Sequence, residues 1–231
     1  MLFRQLFDRE SCTYTYLIAD GLTKQAVLVD PVLEQLERDL QLLGDLNLSL
    51  KYCLETHIHA DHITATGKLR ELTGCWGIVP KKAQADCADR YLDDGEIITL
   101  GKVSIEAIAT PGHTDSHLAY LIDKTHLLTG DALFIRGCGR TDFQGGNPGM
   151  LYDSVKSKLF TLATDTLVYP GHDYRGRTVS TIGEEQKYNP RFQGKNRASF
   201  IELMNQLNLP HPAKMMEAVP ANQKCGQSRE I

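Results

Sequence analysis

Long apolar runs are absent: no stretch approaches the roughly 18 consecutive apolar residues that span a bilayer. That excludes a helical membrane protein. The N-terminal run Met1-Leu2-Phe3-Arg4-Gln5-Leu6-Phe7-Asp8-Arg9-Glu10 has no apolar core for a secretory signal, and its acidic residues do not suit a transit peptide. A cytoplasmic location is therefore expected, with a mature mitochondrial form as the alternative. Paired cysteines are missing too. The six cysteines, at 12, 53, 75, 87, 138 and 225, lie scattered without a Cys-x-x-Cys. In a leaderless chain of this size a disulfide framework is not expected, so most of them are read as buried reduced thiols. Nor is there an excess of positive charge, and a net of −4 speaks against a general nucleic-acid binder. The charge is uneven, since residues 171–231 hold nine Lys/Arg against six Asp/Glu. A modestly basic end on an acidic body suits the binding of a small anion. No repeat, low-complexity tract or linker interrupts the 231 residues, a length within the range of one large domain.

What the chain does have is concentrated histidine. Thr56-His57-Ile58-His59-Ala60-Asp61-His62 sets four metal-competent side chains directly after the apolar Tyr52-Cys53-Leu54. Successive side chains of a strand point to opposite faces, so His57 and His59 converge only if the chain leaves the strand here. Asp61 is expected to N-cap a following helix, where Ala65, Leu69 and Leu72 recur at helical spacing and Gly74 ends the run. Imidazole together with carboxylate suits zinc, iron or manganese better than calcium or magnesium. A lone histidine would be read as a surface group; a cluster this dense is read as a ligand loop.

The remaining chain repeats that arrangement. Thr13–Ile18 and Ala26–Val29 read as strands around an Asp20-Gly21 turn. Asp30-Pro31 is expected to open a helix with Leu33, Leu36, Leu40 and Leu43 as its buried stripe, a Glu34–Arg38 pair and Gly44 at its end. Gly101-Lys102 reads as a two-residue hairpin between Glu96–Leu100 and Val103–Ile108. Further strands are expected at Leu118–Ile122, His126–Leu128 and Leu167–Tyr169. Helices are expected near Tyr152–Leu162, Ser180–Tyr188 and Ala198–Leu207, and Trp76 is assigned to the core. Four times an apolar strand runs into a turn in which Gly or Pro accompanies His or Asp: at His57–His62, Pro111-Gly112-His113, Gly130-Asp131 and Pro170-Gly171-His172. Glycine lets the backbone turn sharply and approach a site closely.

In this order, His-x-His-x-Asp-His, Pro-Gly-His-Thr, Gly-Asp and a final Pro-Gly-His resemble the metallo-β-lactamase superfamily. The resemblance implies an α/β fold, an αββα sandwich formed by residues 1–231 as one domain. A short, mostly helical C-terminal segment from about residue 176 would shape a glutathione pocket. The run Thr129–Gln144, with Gly137-Cys138-Gly139-Arg140-Thr141-Asp142, is similar to the persulfide dioxygenases. So are Pro170-Gly171-His172-Asp173-Tyr174, Asn189-Pro190-Arg191-Phe192 and Val219-Pro220-Ala221-Asn222. The nearest alternative is a hydroxyacylglutathione hydrolase (glyoxalase II-like) with two metals, although the chain is too short for that family's long helical C-terminal domain. His117 departs from the dioxygenase pattern, standing where a smaller residue is expected, and His172 is kept although the family's iron site does not need it.

By resemblance, one Fe(II) per chain is held by His57, His113 and Asp131, two imidazoles and a carboxylate that leave the opposite face open. His59, Asp61, His62 and His172 become surrounding groups that orient ligands and hold water, or else a second metal site. The implied partners are glutathione persulfide and O₂, oxidised to sulfite and glutathione, and a homodimer is implied by the family alone. Arg140 and Arg191 are the candidates for the substrate carboxylates, since a guanidinium fork fits a carboxylate better than an ammonium does. Tyr174 is assigned near the sulfur or the iron-bound water, and Cys138 is read as a buried structural thiol.

Overall fold

The computed structural model describes residues 1–210 and 214–226. Two compact units emerge. One comprises Met1–Leu92, Ile98–Ser104 and the described part of His211–Ile231; the other comprises Asp93–Ile97 and Ile105–Pro210.

The first unit opens with strands β1 (Leu2–Phe7), β2 (Tyr14–Ala19) and β3 (Gln25–Val29), paired antiparallel in that order. From β3 onward the sheet is parallel, through β4 (Ser49–Leu54), β5 (Trp76–Pro80) and β6 (Arg90–Leu92). Parallel neighbours need a crossover. Helix α1 (Leu36–Asp45) supplies one and α2 (Thr66–Thr73) the next. The leucine stripe of α1 is as expected: Leu43 is buried with Leu17, Leu28 and Leu50, and Leu33, Leu36 and Leu40 pack against them. Gly74 ends α2 in the left-handed conformation (φ 72°), its N–H donating to the Arg70 carbonyl. The histidine run fills the connection from β4 to α2, beyond the carboxyl end of a parallel strand, where open α/β sheets put their ligands.

Five local expectations fail in this unit. Asp30 does not cap a helix; it adopts φ 51°, and α1 starts only after a 3-10 turn at Leu33–Gln35. Asp61 is no cap either, since α2 begins at Thr66 with Ala65 before it. Both carboxylates are drawn into the ligand loop instead. Glu34 and Arg38 do not pair: Glu34 meets Lys214, and Arg38 turns to Asp39 and the Phe7 carbonyl. Trp76 is 53% exposed and Leu72 62%, so neither belongs to the core. Cys87 and Cys225, 138 residues apart, form a disulfide, while Cys12, Cys53, Cys75 and Cys138 are free.

The second sheet runs β12-β11-β10-β9-β8-β7. Its strands are β7 (Ile97–Leu100), β8 (Val103–Ala109), β9 (Leu118–Ile122), β10 (His126–Gly130), β11 (Leu167–Pro170) and the short β12 (Ser180–Thr181). The β7–β8 turn falls at Gly101-Lys102 as the sequence predicts. Helix α3 (Pro148–Ser154) begins before Tyr152 because Asn147 accepts the Met150 N–H and Pro148 occupies the first turn. It continues as a wider turn through Leu159. Thr181 caps α4 (Ile182–Tyr188), and Asn196 with Ser199 forms a capping box on α5 (Arg197–Asn205). Leu151, Val155, Leu159, Phe192 and Phe200 make the core of this unit. The last helix among the described residues is α6 (Met215–Asn222), part of the first unit. Among the described residues no helix is long and apolar enough to cross a membrane.

Candidate functional site

In the first unit, the candidate ligand loop is held by a buried acidic frame. Asp30 Oδ1 accepts the Thr56 N–H (2.7 Å) and Oδ2 accepts the Thr56 hydroxyl (2.8 Å). With its one proton spent on Asp30, the Thr56 oxygen accepts from His57 Nδ1 at 2.9 Å. The proton on Nδ1 leaves the lone pair on Nε2, the form in which imidazole binds a metal. His62 is set the same way: Asp61 Oδ2 lies 2.9 Å from Nδ1, Thr13 steadies that carboxylate at 3.1 Å, and the buried Nε2 has no hydrogen-bond partner. His59 differs. Its Nε2 lies 3.1 Å from Asp30 Oδ1 and 3.4 Å from Glu55 Oε2, close enough for ion pairing though aligned with neither as a hydrogen bond. Burial disfavours its charged form, but the Asp30 and Glu55 carboxylates outweigh it and hold the imidazolium well above the ordinary histidine range. Asp30 shifts the other way: burial opposes its charge, and His59 and Thr56 more than restore it. Two sets of convergent donors result, His59/Asp61/His62 and Asp30/Glu55/His59.

In the second unit, His113, Asp131 and His172 lie on the loops beyond β8, β10 and β11. His113 Nδ1 donates to the Arg140 carbonyl at 2.7 Å, so its Nε2 also carries the lone pair, 3.5 Å from Asp131 Oδ2. His172 Nε2 is 3.5 Å from Asp131 Oδ1, a buried oxygen without a hydrogen-bond donor. Two glycines make this crowding possible. A Cβ on Gly171 would meet Asp131 Oδ1 at 2.6 Å, and one on Gly139 would meet the Asp131 carbonyl at 2.4 Å and His113 Nδ1 at 2.9 Å. Here the glycines of the Pro-Gly-His and Gly-Cys-Gly-Arg motifs acquire a reason.

His117, whose role the sequence leaves open, is fully engaged. Its Nδ1 faces Thr110 Oγ1 at 2.8 Å, and its Nε2 accepts the backbone N–H of Asp131 at 3.0 Å. It therefore fixes the peptide of a candidate ligand. Asn189 was also missed: from α4's end its amide donates to the carbonyls of Phe134 (3.2 Å) and Gly137 (3.0 Å), bracing the loop after Asp131. The sequence announces neither task, because the contacts that carry it, the Asp131 N–H and the Phe134 and Gly137 carbonyls, are backbone groups.

The anion candidates diverge. Arg140 is bidentate to Asp142 (2.7 and 2.8 Å), donates to the Pro210 carbonyl and lies over the Phe143 ring. Arg191 is half-buried, and among the described residues its guanidinium has no hydrogen-bond or ion-pair partner. Tyr174 stacks on His172 and is 69% exposed as a residue. Burial pushes the Cys138 thiol up to about 12, and Sγ sits 3.8 Å from Met204 Sδ, in keeping with a structural thiol.

Sheets of this kind, with histidine and aspartate on the loops beyond their strands, define a class of metal-dependent proteins. Residues 12–172 match the metallo-β-lactamase superfamily, and the chain belongs to it. Within that class it belongs with the persulfide dioxygenases. It is 48% identical to the mitochondrial persulfide dioxygenase ETHE1 of Homo sapiens, covering 98% of this chain and 89% of the relative. It matches the crystal structure of ETHE1 from Myxococcus xanthus with a TM-score of 0.96 at 54% identity, covering 98% of this chain and 100% of the other. The hydroxyacylglutathione hydrolase GloC of Haemophilus influenzae is 34% identical over 75% of this chain and 90% of its own. The α/β metallo-β-lactamase fold expected from sequence is thus the fold of the chain.

Proposed function

We propose that this persulfide dioxygenase oxidises glutathione persulfide at a single ferrous ion held by His57, His113 and Asp131. Support comes from the donor set. Two histidines have their Nδ1 protons directed at oxygen acceptors, and Asp131 keeps a buried carboxylate oxygen without a donor. Nitrogen and oxygen donors of this kind fit ferrous iron. When bound, iron supplies the redox centre through which persulfide sulfur and dioxygen exchange electrons. The overall reaction balances as one persulfide, one O₂ and one water giving one glutathione, one sulfite and two protons. The outer sulfur is oxidised, dioxygen is reduced, and the sulfur–sulfur bond breaks.

The observation that carries the single-metal reading is the engagement of the remaining groups. His59 is ion-paired with Asp30 and Glu55, and Asp61 is taken by His62 and Thr13. A second metal would have to compete with these contacts for His59 and Asp61. We assign His59, Asp61 and His62 to orienting the ligand loop and water beside it, and His172 to steadying Asp131. For the substrate, Arg191 is the carboxylate anchor. Arg140 would join it by exchanging the Pro210 and Leu209 carbonyls for the substrate, and the exposed Tyr174 flanks the sulfur. The reading extends to residues 1–231 as one domain, with the segment from about 176 shaping the glutathione pocket. It also extends to a homodimer and to a cytoplasmic location, a mature mitochondrial form being the alternative.

Metal analysis of protein purified without added metal is the test: about one iron per chain is expected. Asp131→Ala should lose both the iron and O₂ uptake; retained activity without iron would refute the assignment. Arg191→Ala should raise KM for glutathione persulfide with little change in kcat, by about tenfold or more for a lost charge-assisted pair. About two zinc ions per chain with brisk thioester hydrolysis would favour the glyoxalase II-like reading instead.

A further inference from the structure

The Val219-Pro220-Ala221-Asn222 run takes no part in the chemistry above. In the structure Asn222 closes α6, is 3% exposed, and spends its side chain wholly on backbone. Its Nδ2 donates to the carbonyls of His59 (2.9 Å) and His62 (2.8 Å), and its Oδ1 accepts the Thr64 N–H (2.9 Å). Those groups lie outside the named strands and helices, where buried peptide atoms depend on such outside partners. A planar amide donates twice and accepts at once, which no hydroxyl or carboxylate of similar size can do.

The end of α6 is itself fastened. The Cys225 carbonyl accepts the Gly67 N–H at 2.8 Å, and Cys225 is bonded to Cys87. Gly226, at φ +80°, packs so closely that a Cβ would fall 2.0 Å from the Thr64 carbonyl. We infer that Asn222 is a positioning residue. From the far end of the chain it sets the path of the His59–Thr64 backbone, and with it the surroundings of the metal. The inference rests on the reading that this loop serves a metal site.

Cobalt(II) binding by the full chain tests it, with the visible spectrum as a second readout. Asn222→Asp keeps the acceptor and loses both donors; Asn222→Ser removes most of the amide. Both should bind cobalt about ten- to a hundredfold more weakly, as loss of a ligand-orienting group does. Their cobalt bands should shift, which a general loss of stability would not produce. Lys224→Ala, a change at an exposed neighbour, should match wild type. Wild-type affinity and an unshifted spectrum in Asn222→Asp and Asn222→Ser would overturn the inference while leaving the metal site standing. Failure of the wild type to bind cobalt would overturn both. Should neither variant fold, deuterium exchange at the Thr64 amide in the wild type decides: protection is expected, and open-loop exchange would contradict the clamp.

Discussion

At the scale of single residues, His117 is the side chain to which the structure gives most new meaning. Two candidate ligands, His113 and Asp131, lie near it in the second unit, and it holds the Asp131 peptide without facing solvent. His117→Phe keeps most of the volume but leaves that N–H without an acceptor. A stability loss of about 1–3 kcal/mol in urea is expected, together with metal retention lowered about ten- to a hundredfold against a chelator. Unchanged retention would show that Asp131 needs no such support. Cys138 gives a pH prediction. Its thiol stays protonated in the folded protein up to about 12 because it is buried, against 9.0 when exposed. The folded chain therefore holds a proton that the unfolded chain releases. The stability from this thiol is complete below its unfolded value and drains away as pH climbs towards the folded one. Between roughly pH 8 and pH 11, Cys138→Ala should lose less thermal stability than wild type; parallel losses would contradict the burial. The histidines and Asp131 stood out in the sequence as candidate ligands because chemistry selects such donors by type. His117 did not, since a histidine accepting from a peptide looks in sequence like any other.

Among elements, the strand-then-ligand-loop pattern was the most readable feature. Apolar runs ending in Gly, Pro, His and Asp predicted β4, β8, β10 and β11 and the loops beyond them. The two failed helix caps share one cause. Asp30-Pro31 and Asp61 carry the signature of helix caps, but buried hydrogen-bonding partners outweighed local preference: Thr56 claimed one carboxylate, His62 and Thr13 the other. Likewise β1, with Leu2, Arg4 and Leu6 alternating against Phe3, Gln5 and Phe7, offered no clean polar face and passed unnoticed. Helix α4 carries a buried acid with a comparable task. Glu185, 0% exposed, accepts from Ser180 Oγ (2.6 Å), Arg136 N–H (2.9 Å) and Asn189 Nδ2 (2.9 Å), and pairs with the Arg136 guanidinium. Arg136 keeps Glu184 as a second carboxylate, so the main cost of removing Glu185 falls on the buried donors it satisfies. Glu185→Ala should therefore destabilise by about 1–3 kcal/mol, read from chemical denaturation. A loss below about 1 kcal/mol would place the pair among weak surface bridges instead.

For the whole molecule, family membership was legible because the motifs occur in one order along nearly the full chain. The disulfide was not, because Cys87 and Cys225 are brought together only by folding. The nature of the metal and the fate of oxygen decide the proposed function. Oxygen-electrode measurement with glutathione persulfide, on preparations of graded iron content, reads both. Uptake should be proportional to bound iron, abolished by chelation and restored by ferrous iron, with one sulfite formed per O₂ consumed. Persulfide left untouched by the iron-loaded protein, or oxygen uptake independent of its iron content, would contradict it.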